Sequence, residues 1–423
     1  MFTRCSRVPL AAAFIASITL PAAGATLADT TQSTFPLMAW DYAADEHTLK
    51  EMAACGITQV AFVPDELDVL DICTSLGLQA IVFDETLSGA RWDRALDPKD
   101  LAKNLPAVID KVGHHPAVLG YHLRDEPGAN EYPHLAEAVK TVNELAPGKW
   151  PYINLLPGNE LPEWEKYLDD FVTICKPPIL SYDRYVIYDP PGHFAPVFWS
   201  NLAVARKVAQ RHDLPLYNIV LTAPHWNYRD LLQSDVRMQV YGSLVYGVKG
   251  LAYYKFMSHE LDILDAPPLG NFRGGPLDEF GDRNPSWYWL RNVNKQVQNL
   301  APHLLRLKSD KVYHMAESVP EGNEGATSST LIASLKGPEF VVGEFTHEED
   351  GSRYVMIVNR SVSEQSHVNA TFPEYVEKVE FVDSRTGKLD RWENYYWLAP
   401  GQGVLLKLTG KDIPPADKDV AAQ

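Results

Sequence analysis

Two adjacent carboxylic acids, Asp125 and Glu126, end a short apolar run that begins at Ala117. The run is typical of a buried strand, and Pro127 follows the acids directly. A parallel strand with acids at its C-terminal end is how barrel enzymes place a general acid over a substrate. We predict that Glu126 is the general acid, because like-charge proximity to Asp125 should raise its pKa and keep a proton available near neutral pH.

A structural role is the alternative for these two acids. They could pair with Arg124, or they could stabilise the N-terminus of a helix after Pro127, where acidic side chains are favoured. The same residues fit both interpretations, so the position of the side chains decides between them.

Asp183 is the best second carboxylate in the sequence. It ends the sixth strand-like segment, two positions from the fourth around a ring of eight, so it could face Glu126 across the mouth of a barrel. The alternative is a structural role, in which Asp183 only orients the side chain of Arg184. Asp84 and Glu85, at the end of the third strand-like segment, are the next candidates for the second carboxylate. A separation of about 5 Å between the two acids implies retention of configuration, and about 6.5 to 9.5 Å implies inversion.

Strand-like and helix-like segments alternate between residues 35 and 304 with short polar connections. Eight pairs in strict order favour a closed (β/α)8 TIM barrel, in the α/β class, over an open sheet. The predicted strands are residues 35–40, 57–63, 78–83, 117–123, 152–155, 179–182, 216–222 and 251–256.

After Lys311 the hydrophobic pattern changes to a period of two, interrupted by turn signals such as Asp350-Gly351 and Thr386-Gly387. This pattern predicts a C-terminal antiparallel β-sandwich domain. The expected division is a barrel at residues 26–308, a sandwich at 309–410 and a disordered tail at 411–423, where paired prolines and charges predominate.

Residues 1–25 are typical of a secretory signal peptide. Arg4 and Arg7 precede an apolar run at 8–20, and Ala23-Gly24-Ala25 is a small-residue cleavage pattern. A membrane anchor is the alternative, but the run is shorter than the ~20 residues that a spanning helix needs. We therefore expect a secreted or periplasmic protein with no membrane attachment after cleavage. The net charge of −17 argues against nucleic-acid partners.

Cys55, Cys73 and Cys175 would remain after cleavage of the signal. An odd number rules out a full disulfide framework. Cys55 and Cys73 could pair, or all three could be buried thiols. None lies in a spacing typical of zinc ligands, so no metal and no cofactor is expected.

The ends of the predicted strands are rich in carboxylates and aromatic side chains. That composition suits a sugar site, because aromatic faces stack on pyranose rings and polar groups hold hydroxyls. Each aromatic residue has core packing as its alternative role, and Lys255 could form a salt bridge instead. A Gly- and Pro-rich loop at 261–285 is expected over the mouth. The predicted substrate-binding residues are Trp40, Asp84, Glu85, Asp125, Asn154, Tyr182, Tyr185, His225, Trp226 and Lys255.

Four segments share their pattern with known proteins: residues 120–127 (Gly-Tyr-His-Leu-Arg-Asp-Glu-Pro), 152–157, 180–185 and 237–250. They resemble a group of secreted bacterial glycoside hydrolase-like barrels that are distantly similar to clan A enzymes such as the family 42 β-galactosidases. The resemblance implies that Glu126 is the acid/base, with Asp125 in place of an Asn. It also implies a nucleophilic Glu at the seventh strand, but residues 217–226 contain no carboxylate. The second catalytic acid must therefore lie on another strand, and Asp183 is the first candidate for it.

These observations predict a secreted glycoside hydrolase that cleaves O-glycosidic bonds of an oligo- or polysaccharide. A barrel that binds glycans without catalysis is the first alternative, and the missing acid on the seventh strand favours it. A metal-dependent hydrolase that uses Asp125, Asp183 and His225 is the second alternative. The sequence does not predict the sugar, the linkage, exo or endo cleavage, or the oligomeric state.

Overall fold

The computed structural model describes residues 33–87, 95–188, 190, 194–258, 272–326, 331–411 and 413–415. The predicted signal peptide at 1–25 lies outside the described residues. So do most of the predicted tail and residues 261–271 of the predicted loop over the mouth.

Eight parallel strands form one sheet in the order β5-β4-β3-β2-β1-β8-β7-β6. A parallel bridge between Leu155 and Tyr182 joins the two ends of this order, and the Leu155 N–H donates to the Ser181 carbonyl at 3.0 Å. The sheet therefore closes into the predicted (β/α)8 barrel, which is confirmed. The strands are Leu37–Tyr42 (β1), Gln59–Pro64 (β2), Gln79–Phe83 (β3), Val118–Asp125 (β4), Trp150–Asn154 (β5), Leu180–Asp183 (β6), Leu216–Leu221 (β7) and Gly250–Tyr254 (β8).

Each strand is followed by a helix that packs its apolar face on the barrel. In the third helix, Leu101, Leu105, Val108 and Val112 recur at helical spacing and are buried. Asp97 begins this helix, and its side chain accepts the Lys99 N–H at 2.9 Å. The helices are Glu46–Ala54 (α1), Leu67–Leu76 (α2), Pro98–Val112 (α3), Tyr132–Leu145 (α4), Leu161–Cys175 (α5), Val197–Arg211 (α6), Gln233–Leu244 (α7) and Pro285–Leu304 (α8).

The barrel strands separate two apolar layers, because successive side chains of a strand point to opposite faces. Trp150, Tyr152 and Tyr217 belong to the layer that fills the barrel interior. Leu180 and Tyr182 belong to the larger layer between strands and helices. Ser181 and Asp183, which alternate with them along β6, therefore face inward. This alternation decides which residues at the strand ends can reach the mouth.

The C-terminal part contains a seven-stranded sheet and a three-stranded sheet, with mostly antiparallel pairing as the sequence predicted. Val342, Val368 and Leu406 belong to the apolar core between these sheets. Val341 and Phe345, on the other face of the larger sheet, join the core around the barrel helices. The strands are Leu307–Met315 (β9), Glu324–Gly325 (β10), Ser334–Lys336 (β11), Phe340–His347 (β12), Arg353–Asn359 (β13), Ser366–Thr371 (β14), Lys378–Val382 (β15), Leu389–Arg391 (β16), Tyr396–Leu398 (β17) and Gly403–Thr409 (β18).

Cys55, Cys73 and Cys175 are free and buried, so the possible disulfide between Cys55 and Cys73 does not form. Burial raises the pKa of the Cys73 thiol to about 11 and that of Cys175 to about 12. The three side chains therefore act as small apolar groups of the core. Among the described helices, none is long and apolar enough to cross a membrane.

Gly120 on β4 marks a close approach between neighbouring strands. A Cβ atom at this position would lie 2.2 Å from the Trp150 carbonyl oxygen and 2.6 Å from its Cβ. We expect Gly120→Ala to lower the free energy of unfolding by about 1–3 kcal/mol, because backbone on β5 must move to relieve the overlap. Urea unfolding measures the change.

Candidate functional site

A register shift in β4 decides which way the acidic end of this strand faces. His122 points into the barrel, where its ring lies 4.7 Å from that of Phe62 and 5.9 Å from that of Tyr152. Strict alternation would then turn Arg124 inward and Asp125 outward. The pairing of β4 with β5 is irregular between His122 and Arg124. Asp125 consequently aligns with Asn154 and faces the mouth, as bulges commonly re-aim side chains at functional sites.

Arg124 forms an ion pair with Glu131. Its Nη2 lies 3.2 Å from Glu131 Oε1, and both side chains are largely buried. Glu131 Oε2 also accepts the Gly128 N–H at 3.0 Å, at the start of the short 3₁₀ turn before α4. Glu131 thus fills the helix-capping and ion-pairing roles that were the structural alternative for Asp125 and Glu126.

Glu126 follows β4 in an unusual backbone conformation. Its φ is 48°, in the left-handed region that costs a non-glycine residue about 1 kcal/mol or more. The Glu126 N–H donates to the Asn154 carbonyl at 2.9 Å, which ties this conformation to the end of β5. The side chain is partly exposed, so it is the most accessible carboxyl of the group at the ends of β4 and β6.

Asn154 joins two of the predicted acids. Its amide nitrogen donates to Asp125 Oδ1 at 3.2 Å and to Asp183 Oδ1 at 2.9 Å. All three side chains are buried, with Asp125 and Asp183 only 8% and 7% exposed. The structure therefore brings together Asp125, Glu126, Asn154 and Asp183, which we call the acid cluster.

Burial raises the pKa of every carboxyl in the acid cluster, and repulsion from neighbouring acids adds to the rise for Asp125 and Asp183. The pKa of Asp125 rises to about 7, through burial first and the charge of Glu126 second. The pKa of Asp183 lies well above its usual range, through burial and then the charges of Glu126 and Asp125. Burial also raises the pKa of Glu126, and Arg124 opposes the rise. The direction predicted for Glu126 agrees, but burial is the leading cause, and the like-charge effect acts mainly on the two Asp residues.

Asp125 should make the folded protein less stable as the pH rises. Its pKa is about 7 in the folded protein, against an ordinary value of 3.8, so the folded state holds a proton that the unfolded state has lost. The stabilising effect of this proton is complete below about pH 4 and disappears through about pH 7. We expect Asp125→Asn to gain a few kcal/mol of unfolding free energy relative to the wild type between about pH 4.5 and 7.5. Urea unfolding at several pH values measures it, and a difference that stays constant with pH would contradict the assignment.

Aromatic side chains lie next to the acid cluster, at and after the ends of β6, β7 and β8. We call Tyr185, His225, Trp226, Tyr254 and Phe272 the aromatic wall. The rings of Tyr185 and Tyr254 stack at 5.4 Å, and His225 stacks on Phe272 at 4.6 Å. Trp226 is 61% exposed. The charges of Asp183, Asp125 and Glu126 add to burial in raising the pKa values of Tyr185 and Tyr254, which places the phenols beside the acid cluster.

Sequence reasoning missed two members of the aromatic wall. Tyr254 directly precedes Lys255. Every second side chain of β8 points into the barrel, and this alternation could have identified Tyr254 from the sequence. Phe272 lies in a loop, where no periodic signal exists.

Tyr182, Trp40 and Lys255 are predicted binding residues that the structure buries. Tyr182 is fully buried between strand and helix, with its ring 5.3 Å from that of Trp164. Trp40 lies in the apolar layer inside the barrel. Lys255 forms a buried ion pair with Asp41 at 3.2 Å. Neighbouring side chains of β6 point to opposite faces of the sheet. Because Asp183 points into the barrel, Tyr182 must point outward, toward the helices.

Asp84 and Glu85, the next candidates for the second carboxylate, lie in a turn after β3. Asp84 accepts the Thr86 N–H at 2.7 Å and also the Thr86 hydroxyl, so its carboxylate is engaged locally. Glu85 is exposed. The charges that raise the pKa of Asp183 come from Glu126 and Asp125, which favours Asp183 over these two residues as the partner of Glu126.

Within the described part of the chain, His225 belongs to no metal-ligand cluster. Its Nδ1 lies 3.0 Å from the Ala223 carbonyl and must donate to it, and burial lowers the pKa of the ring to about 4. The described residues contain no group of three or more His, Cys, Asp or Glu side chains that could hold a metal ion. The arrangement offers carboxyl groups for proton transfer beside aromatic faces.

Comparison with known proteins supports the fold. No protein-family model matches the sequence, and no curated protein matches it. A glycoside hydrolase of family 5 from Bacteroides vulgatus has 12% identity and a TM-score of 0.56, over 90% of this chain and 91% of that one. Another glycoside hydrolase has 13% identity and a TM-score of 0.53, over 90% and 94%. The predicted distant similarity to glycoside hydrolases is therefore confirmed, and this chain shares their fold across both barrel and sandwich.

Proposed function

We propose that this protein hydrolyses glycosidic bonds of a carbohydrate at the mouth of its barrel. The observation that carries the proposal is the acid cluster, in which carboxyl groups from two different strands meet and have raised pKa values. Glycoside cleavage needs one protonated acid and one carboxylate in the same site. The resemblance of residues 120–127 to glycoside hydrolase-like barrels points to the same chemistry.

The carboxyls of Glu126 and Asp183 depend on each other when they ionise, because the charge of Glu126 raises the pKa of Asp183. A pair that keeps one proton contains one acid and one carboxylate at the pH of the reaction. In the productive state, Glu126 carries the proton, since it is the more accessible group and can reach a leaving oxygen. Asp183 then carries the charge that activates water or attacks the anomeric carbon.

The aromatic wall would bind the sugar. Stacking on aromatic faces orients a pyranose ring and excludes water from one side of it. Trp226 offers the most exposed ring, and Tyr185 and Tyr254 extend the surface toward the acid cluster. Secretion is part of the proposal, and it rests on the signal-like residues 1–25.

Chromogenic glycosides and natural oligosaccharides provide the direct test. We expect at least one substrate to release new reducing ends, with the activity retained in EDTA. Failure of every substrate, together with heat on titration with a glycan panel, would support the alternative of a binding protein. That alternative draws on residues 217–226, where no carboxylate ends the seventh strand. Loss of activity in EDTA would support the metal-dependent alternative.

A further inference from the structure

A line of buried hydrogen bonds crosses the barrel beneath the acid cluster. The Trp40 indole N–H donates to the Tyr152 hydroxyl at 3.1 Å. The Tyr152 hydroxyl lies 3.1 Å from Ser181 Oγ, which donates to Asn154 Oδ1 at 3.2 Å. Asn154 in turn donates to Asp125 and Asp183. We call Trp40, Tyr152, Ser181 and Asn154 the relay chain. Its four residues come from β1, β5 and β6.

The relay chain has a consistent direction when the Asn154 NH₂ group donates to the two carboxyls. An indole N–H donates and never accepts, so the Tyr152 oxygen accepts from Trp40 and its own proton is available to Ser181. Ser181 Oγ accepts this hydrogen bond and donates its own O–H to Asn154 Oδ1. The Asn154 NH₂ group is then the only part of the amide left to face the two carboxyls. The orientation of Asn154 therefore depends on groups that never touch the mouth.

We propose that the relay chain is a positioning device that holds the Asn154 amide with its NH₂ group toward Asp125 and Asp183. With the hydroxyl of Ser181 removed, no member of the relay chain donates a hydrogen bond to Asn154 Oδ1. The amide can then turn its oxygen toward the carboxyls. An NH₂ donor favours the charged form of a carboxyl, whereas an amide oxygen favours the protonated form. Tyr152 and Ser181 thereby lower the pH at which the two Asp residues ionise, against the opposite effects of burial and of the charge of Glu126.

This inference rests on the proposed function for its effect on turnover, but the ionisation of the two Asp residues can be measured without any substrate. Full-length protein labelled with ¹³C at the Asp side-chain carboxyl is titrated by NMR, and Asp125→Asn and Asp183→Asn assign the signals. Loss of a donor to a charged carboxyl typically raises its pKa, and one pKa unit corresponds to a tenfold change in the ionisation constant. We expect Ser181→Ala to move the first ionisation of the pair up by about one pH unit.

Three further variants make the test specific. Tyr152→Phe keeps the ring but breaks the chain one step earlier, so a smaller upward shift is expected. Ser181→Thr keeps the hydroxyl and should restore the wild-type titration. Ser243→Ala is the matched control, because Ser243 is also buried and accepts from an Asn amide, Asn218, at 2.8 Å, but on the helix side of the barrel. Its titration should match the wild type.

The outcomes separate this inference from the proposed function. A wild-type titration in both Ser181→Ala and Tyr152→Phe, or a downward shift in either, overturns the positioning role. Should Ser181→Ala not fold, Tyr152→Phe decides alone, since it keeps the aromatic ring that packs inside the barrel. If the protein hydrolyses a glycoside, the kcat/KM pH profile should shift by the same amount as the NMR titration. An upward NMR shift in a protein that hydrolyses nothing leaves the positioning role intact and removes the proposed function.

Discussion

Glu126→Gln is expected to lower kcat/KM for glycosides with poor leaving groups by about 10²–10⁴-fold, the usual contribution of a general acid. Glutamine preserves the shape of the side chain but carries no transferable proton. Because Glu126 is partly exposed and the substitution keeps its size, the variant should fold like the wild type. Initial rates on a natural oligosaccharide measure the effect, and circular dichroism checks the fold.

The leaving group identifies which carboxyl donates the proton. A glycoside with a dinitrophenolate leaving group needs little protonation, so Glu126→Gln should keep much of its wild-type rate on that substrate. Asp183→Asn should lose activity on both substrates, because it removes the charge at the anomeric carbon. The reverse pattern would assign proton donation to Asp183. Glu66→Gln is the matched control, since Glu66 is an exposed acid after the end of β2 and should leave both rates unchanged.

Asp41→Asn should lower the free energy of unfolding by about 3–5 kcal/mol, because it removes the negative charge that pairs with the buried ammonium of Lys255. The Asp41 and Lys255 side chains are 6% and 9% exposed. Asp41 Oδ2 also accepts the Phe256 and Met257 N–H groups at 3.1 and 2.9 Å, so the carboxylate links β1 to the segment after β8. Urea unfolding at pH 7 measures the loss.

A double variant distinguishes the ion pair from the backbone contacts. Asp41→Asn with Lys255→Met removes both charges, and the unfolding free energy should recover by at least about 1 kcal/mol relative to Asp41→Asn alone. If Lys255 serves mainly to bind substrate, the single variant Asp41→Asn will be nearly as stable as the wild type. That result would contradict the structural role that the geometry gives to Lys255.

The barrel was predictable because its signal is local. Each strand is an apolar run and each helix has apolar residues at helical spacing, so the sequence alone predicted β7 to within one residue. The ends of parallel strands meet at one edge of a barrel. That rule by itself places Asp125, Glu126 and Asp183 at the same mouth.

Which way each side chain faces at that mouth was not predictable from the sequence. The register shift in β4 turns Asp125 inward, and it arises from pairing with β5, a strand formed by a later segment of the chain. The preference of Arg124 for Glu131 and of Lys255 for Asp41, like the relay chain that orients Asn154, also depends on contacts between separate segments. Local patterns determine the strands, the helices and the types of residue at their ends. Only the tertiary structure decides register and pairing, because these depend on neighbours that the chain brings together on folding.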